Sequence, residues 1–340
     1  MGAAHTTPGL AVTPLQVARK TPMPVRAFLF PGQGSQAVGM GRDLAAAFPA
    51  AREVFGEVDE ALKQNLSRLM FEGPAETLTL TENAQPALMA HSIAVLRVLE
   101  REGGLALPEA AILVAGHSLG EYSALAAARA FDLATCARLL RLRGQAMQRA
   151  VPPGEGAMAA LVGAALADAA ALCAEAAEGP EGRAVLEPAN DNGGGQVVIS
   201  GAAAAVERAI ALAPQKGIRR AIKLPVSAPF HCALMAPAAK AMAEALEAVA
   251  LAPPIVPVIA NVTAAKATDP DEIRALLVRQ VTAMVRWRES VAAIRAIGVD
   301  TVVELGAGKV LAGLARRIDA DLAATSIGTP AEVEAFLKAL

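Results

Sequence analysis

Little in this 340-residue chain serves disulfide or metal chemistry. The three cysteines, Cys136, Cys173 and Cys232, are far apart and odd in number. No CxxC pair and no Cys/His cluster occurs, which excludes a disulfide framework and a zinc site. A reducing cytoplasm is the compartment this cysteine usage fits. The formal net charge is only −2, so the basic face of a generic nucleic-acid binder is missing. Long apolar runs are missing too. Uncharged apolar stretches such as 156–167 and 251–265 fall short of the roughly eighteen residues a membrane span needs, and prolines break the second. The N-terminus has no continuous apolar core of a secretory signal. No internal repeat is visible.

What is present is apolar and Ala-rich. Hydrophobic residues make up 54% and charged residues 19%, the balance of a globular chain that can bury a sizeable core. Residues 1–24 read as a flexible tail, with Met23 just before the first core strand and a misplaced start codon as the other explanation. "VRAFLF" (25–30) and "AILVAG" (111–116) read as buried parallel strands. Helical spacing runs through 43–71, 86–100, 119–130 and 132–150. A Pro/Gly linker at 151–156 changes the pattern. From there to 223 the order is β-α-β-β-α-β, the ferredoxin-like arrangement. The α/β pattern then resumes with helices at 234–250 and 270–284 and strands at "PVIAN" and "TVVELG". The expected fold is therefore α/β: a parallel-sheet core over 25–152 and 224–340, interrupted by a small α+β subdomain over 153–223.

The chemistry centres on Gly116-His117-Ser118-Leu119-Gly120. A strand, then G-x-S-x-G, then a helix is the setting of a nucleophile elbow. The glycines permit a sharp turn, and the helix N-terminus turns N–H groups toward any anion formed beside the serine. A plain Gly/Ser turn capping a helix would look the same. A nucleophilic serine needs a base, and there are only four histidines. His5 lies in the tail. His117 should point away from its neighbour on a sharp turn. His91 sits inside an apolar helix, where a satisfied core histidine is the common case. His231, in the loop "VSAPFHCALMAP", is left as the base, with a capping or packing histidine as the alternative.

"FPGQGSQAVGMG" (30–41) contains G-x-G-x-x-A after a strand, a dinucleotide fingerprint. Pro31 and the absence of an acid-terminated second strand weigh against it. The other reading is a tight loop lending an N–H to an oxyanion hole. On the helix 132–150, Arg138 and Arg141 read as a solvated basic face. Arg143, next to Gly144, is placed to grip a carboxylate with two parallel hydrogen bonds.

"FPGQGSQ", "GHSLGEYSAL", "RLRGQAMQ", "NDNGGGQVVISG", "PVSAPFH" and "VELGAGKVLAGL" together resemble the malonyl-CoA:acyl-carrier-protein transacylases of bacterial-type fatty acid synthesis. The resemblance covers about 25–318. It implies an α/β-hydrolase-like core with a ferredoxin-like insert, and Ser118 and His231 as nucleophile and base. It further implies that Arg143 holds the malonyl carboxylate and that the N–H groups of Gln33 and Leu119 form the oxyanion hole. By the same resemblance the main-chain carbonyl of Gln280 orients the histidine in place of an acid, and Phe230 narrows the acyl pocket. Coenzyme A thioester and acyl carrier protein are the implied partners, with no metal or redox cofactor. Lys216, Arg219, Arg220 and Lys223 are expected to meet the acidic carrier, a solvated basic face being the plainer reading. Two other functions stay open on the residues alone. One is a serine esterase or thioesterase, which usually has its histidine near the C-terminus; the other is a nucleotide-binding scaffold using "PGQGSQA". The resemblance leaves a discrete polyketide acyltransferase as a further possibility.

Overall fold

The computed structural model of the protein describes residues 24–180 and 182–340; the expected tail lies outside the described residues, Pro24 excepted. Twelve strands are present in this part. They are β1 (Arg26–Phe30), β2 (Leu113–Gly116), β3 (Gly156–Val162), β4 (Glu178–Gly179), β5 (Gly182–Arg183), β6 (Leu186–Gly193), β7 (Gln196–Ala202), β8 (Arg220–Lys223), β9 (Val258–Ala260), β10 (Ala265–Ala267), β11 (Thr301–Leu305) and β12 (Ala323–Ile327).

The main sheet has the order β10-β9-β2-β1-β11-β12. All its pairings are parallel except β9–β10. Its central strands are buried on both faces, as parallel strands flanked by helices must be. Period-two alternation sorts their side chains. Phe28 and Phe30 enter the core under the helices Thr81–Arg101 and Leu133–Ala150, while Ala27 and Leu29 enter a second core with Trp287, Val291 and Leu311.

The second sheet is antiparallel, in the order β6-β7-β3-β8. With the helices Leu166–Ala177 and Ala203–Leu212 it forms a ferredoxin-like unit. Alternation again divides the work. Ala157, Ala159, Leu161, Val197 and Ile199 pack under the unit's own helices. Met158, Ala160 and Val198 face the other way, into a cavity shared with the core. The unit is held to the core by backbone bonds Asp191 N–H to Val285 O (3.0 Å) and Val285 N–H to Ala189 O (2.9 Å). The Arg288 Nε to Asp191 Oδ2 ion pair (2.8 Å) reinforces them. The protein is thus an α/β fold with a small α+β unit set between its core segments.

Some elements differ from expectation. The helical spacing over 43–71 is three helices, Arg42–Ala47, Pro49–Leu62 and Leu66–Glu72. Pro49 starts the second after an extended Phe48, and Lys63, at φ 52°, ends it. The helix expected over 270–284 stops at Gln280. The glycines of "PGQGSQA" do not open a helix; the next one starts only at Arg42, so the phosphate-binding helix end of a dinucleotide site is missing there.

Candidate active site

Ser118 stands between β2 and the helix Leu119–Ala127 with φ 55° and ψ −113°. A left-handed φ at serine is strained by about 1–3 kcal/mol and persists only where its surroundings enforce it. The flanking glycines allow the turn. A Cβ on Gly116 would lie 1.9 Å from the Gly120 carbonyl oxygen, and one on Gly120 would lie 2.2 Å from that of Phe30. Asn261, at the end of β9, holds the elbow from the neighbouring strand. Its Oδ1 accepts the Ser118 N–H (2.7 Å) and its Nδ2 donates to Gly116 O (2.7 Å).

Ser118 Oγ lies 2.7 Å from His231 Nε2, and His231 Nδ1 lies 2.8 Å from the main-chain oxygen of Gln280. A carbonyl only accepts, so Nδ1 carries the proton and Nε2 is free to accept the serine hydroxyl. Gln280 can offer that carbonyl because it ends its helix, where carbonyls have no intrahelical partner. Burial is the main cause that lowers the His231 pKa, to about 3; Arg143 adds to it and the Gln280 carbonyl opposes it. The imidazole is therefore neutral, the form a base requires.

Arg143 is 1% exposed and lies on the same side of the serine. Its Nη1 donates to Gln85 Oε1 (2.7 Å), and its Nη2 to Gln280 Oε1 (2.9 Å) and Ser118 Oγ (3.2 Å). Its Nε has no partner, and no carboxylate stands within ion-pair distance of it among the described residues. Arg141 departs from expectation. It is half-buried, with Nε and Nη2 enclosed and unpartnered, because its face of the helix packs against the chain instead of facing water. Arg138 is the exposed one.

A cavity of about 510 Å³ brings together Gln33, Ser118, Leu119, Arg143, Phe230 and His231. Gln280 sits behind His231, fully buried. The N–H groups of Gln33 and Leu119 donate no backbone hydrogen bond among the described residues. His117 lines the same cavity, but its Nε2 turns to Asn192 Oδ1 (2.9 Å) on β6. His91 is a core histidine, bonded to Gly328 O (3.0 Å). A larger hollow of about 780 Å³ lies along the helix Thr81–Arg101. No serine, cysteine or histidine lines it, and its charges form surface pairs such as Arg129–Glu100; size does not mark the reactive site here.

Three residues, Asn261, Gln85 and Glu121, escape the sequence reading, and Gln280 is read only in part. Asn261 and Gln85 have no motif of their own, and the side chain of Gln280 bridges Arg143 and Glu121 in addition to what its carbonyl does. Glu121 is buried at 2% exposure. One signal for it was available: an acid three residues after the serine, in the first turn of an apolar helix, falls on the serine's own side.

A neutral histidine on an elbow serine, beside a buried arginine, is the arrangement of a serine acyltransferase. The family described as acyl transferase domain matches residues 27–325, and the chain belongs to it. The chain is 47% identical over 312 residues to the malonyl CoA-acyl carrier protein transacylase of Escherichia coli K12, covering 92% of this chain and 98% of that one. It is also similar to the crystal structure of acyl-carrier-protein-S-malonyltransferase from Bartonella henselae, with 58% identity, coverage of 93% and 99%, and a TM-score of 0.89. A third likeness is to a malonyl-transacylase in complex with its type II PKS acyl-carrier protein, with 43% identity, coverage of 93% and 100%, and a TM-score of 0.88. No helix among the described residues is long and apolar enough to cross a membrane, and none of their His, Cys, Asp and Glu side chains form a metal-holding cluster.

Proposed function

We propose that the protein transfers the malonyl group of malonyl-CoA to the phosphopantetheine thiol of acyl carrier protein, through a malonyl-Ser118 ester, and so supplies fatty acid elongation. We assign residues 25–152 and 224–340 to the acyltransferase core and 153–223 to the inserted subdomain. The observation that carries the reading is Arg143: a buried guanidinium with an unspent donor, 3.2 Å from the reacting oxygen. Leaving such a charge without an anion in contact is expensive, and a substrate carboxylate supplies one.

The steps follow from the geometry. His231 Nε2 takes the Ser118 proton as Oγ attacks the thioester carbonyl. Gln33 and Leu119 N–H groups receive the oxyanion, a contribution of about 3 kcal/mol per donor. The imidazolium gives its proton to the departing CoA thiolate. The carrier thiol then gives its proton to His231 and attacks the ester, and the imidazolium returns that proton to the departing Ser118 Oγ, a ping-pong sequence that uses protein groups alone. Phe230, 9% exposed, limits the bulk of the acyl group.

Intact mass of the protein mixed with malonyl-CoA tests the reading. A malonyl adduct on Ser118 that discharges on addition of holo carrier protein is expected; no adduct, or discharge equally fast to water, would overturn it. The likeness to a complex with a polyketide carrier favours running the second step with both a fatty-acid and a polyketide carrier protein.

A further inference from the structure

One buried carboxylate has no task in those steps. Glu121 Oε2 accepts two hydrogen bonds, from the Asn261 N–H (3.0 Å) and from Gln280 Nε2 (2.7 Å). Both donors belong to residues that hold the nucleophile and base. Asn261 Oδ1 receives the Ser118 N–H, Gln280 Nε2 also donates to Ser118 O (3.0 Å), and the Gln280 carbonyl receives His231 Nδ1–H. A buried carboxylate with only neutral partners is expensive, and so is a buried guanidinium. The Gln280 side chain lies between the two. Its Nε2 faces Glu121 and its Oε1 accepts from Arg143 Nη2. Each charge is therefore the other's counter-charge across one amide.

We propose that Glu121 is the remote counter-charge and positioning residue of this site, acting through Gln280 on both His231 and Arg143. The inference rests on the acyl-transfer reading above. It explains how the site works with no acid touching the histidine. When Oγ–H breaks and Nε2–H forms, an imidazolium appears beside the Arg143 guanidinium, and this like-charge contact opposes the step. A negative Glu121 offsets it without taking a proton itself. Direct contact between Glu121 and Arg143 would do the same, but the substrate carboxylate would then have to displace an internal partner. The amide spacer keeps the charge balance without setting an internal carboxylate in contact with the arginine.

Glu121 acts only when ionised. Burial raises its pKa to about 7, with the Asn261 and Gln280 hydrogen bonds and then Arg143 opposing. The titratable groups facing it are Arg143 on the helix Leu133–Ala150, Tyr122 beside it, with Cys136 behind Tyr122, and His231 across Gln280. Burial drives Tyr122 and Cys136 up, so both stay neutral, and His231 is depressed far below neutrality. Glu121 is thus the group among them that changes charge near pH 7. A carboxylate is charged above its pKa, so acylation speeds up as pH rises through that range.

The test is the single-turnover acylation rate with malonyl-CoA as a function of pH, for wild type, Glu121→Gln and Glu121→Ala. Glutamine keeps an oxygen that can accept both hydrogen bonds, removes the charge and turns the second oxygen into an N–H donor. Glu121→Gln should lose about 10- to 100-fold in rate, from a charge interaction across one side chain. Its KM for malonyl-CoA should hold or fall, and the acid limb near neutrality should disappear. Glu121→Ala should lose more, because both hydrogen bonds go as well. A Glu121→Gln variant with wild-type rate and pH profile overturns the proposal and reduces Glu121 to a structural acceptor. If that variant does not fold, the wild-type profile decides alone: no ionisation between about pH 6 and 8 overturns it. Absence of any malonyl-Ser118 in the wild type at every pH would overturn the acyl-transfer reading itself, and this inference with it.

Discussion

The core and the inserted unit bury very different things. Around Ser118 the core encloses Gln85, Glu121, Arg143, Asn261 and Gln280, all under 3% exposed. They are joined in one hydrogen-bonded chain from Gln85 through Arg143 and Gln280 to Glu121 and Asn261. The interior of the insert, under its own helices, is built instead of apolar side chains such as Ala159, Ala169, Leu172 and Ile199. Buried polar groups are costly unless satisfied, and a network multiplies that cost when one member is lost. The difference therefore assigns reactivity to the core. It leaves the insert to close the cavity wall with Met158, Ala160 and Val198 and to lend Asn192 to His117. Substitutions in the two regions should accordingly separate into losses of chemistry and losses of fit.

Ser118→Ala gives the sharpest contrast. It should abolish the malonyl adduct in intact-mass measurements while leaving the fold intact, because it removes the hydroxyl shared by His231 and Arg143 and keeps the Cβ and backbone of the elbow. An adduct of wild-type yield in the variant would move the nucleophile elsewhere.

Arg143→Ala comes next. A buried charge-assisted contact typically costs about 2–5 kcal/mol when truncated, roughly a factor of 30 to several thousand in the specificity constant. Malonyl transfer should fall by that order, while acetyl transfer should change little or rise, since no unpaired guanidinium then faces the methyl group. Arg138, which is exposed, is the control; half-buried Arg141 cannot serve. An unchanged malonyl-to-acetyl ratio would make Arg143 a structural residue.

The seam between the regions should respond in stability and fit more than in chemistry. Asp191 is 2% exposed and paired with Arg288. Removing one partner of a hydrogen bond to a charged group costs about 1.5–3 kcal/mol. Asp191→Ala should lower the melting temperature and raise the KM for malonyl-CoA several-fold, with the rate of acylation at saturation within about threefold of wild type. A collapse of the saturated rate at unchanged KM would show that the insert takes part in the chemistry.

Ser118 was legible in the sequence because an elbow needs glycines at fixed offsets between a strand and a helix, all local constraints. His231 was reached by elimination among four histidines, a route open only to a rare residue type. The insert was legible from the order of its elements, since β-α-β-β-α-β with helical and alternating periods has few folded solutions. Asn261 and Gln85 were not, because each acts across more than fifty residues of chain on a partner that no local pattern announces. Arg141 failed for a related reason: arginines at 138, 141 and 143 on one helix look alike in sequence, and burial is decided by what packs against each face. The helices Trp287–Ala296 and Pro330–Ala339 and the edge strands β10 and β12 were not foreseen either.

The smallest effect belongs to the outer face of the insert. Of the four cations expected to meet the carrier protein, Lys216 is paired with Glu175 and Lys223 with Glu207. Arg219 and Arg220 are exposed with no ion-pair partner among the described residues. They stand at the start of β8, and that strand runs directly into Leu224, Pro225 and Val226 of the cavity wall. A carrier docked there could pass its pantetheine arm along that wall toward Ser118. Contacts at an exposed rim act mainly on encounter and are weakened by salt. Charge reversal at Arg219 and Arg220 together should therefore raise the KM for carrier protein by about three- to tenfold at low ionic strength. It should leave the KM for malonyl-CoA alone, and the effect should fade as salt is added. The second half-reaction isolates the effect, because malonyl-enzyme prepared beforehand needs only the carrier. Equal changes for both substrates, or a change that salt does not reduce, would remove this face from the docking surface and leave the insert with its wall alone.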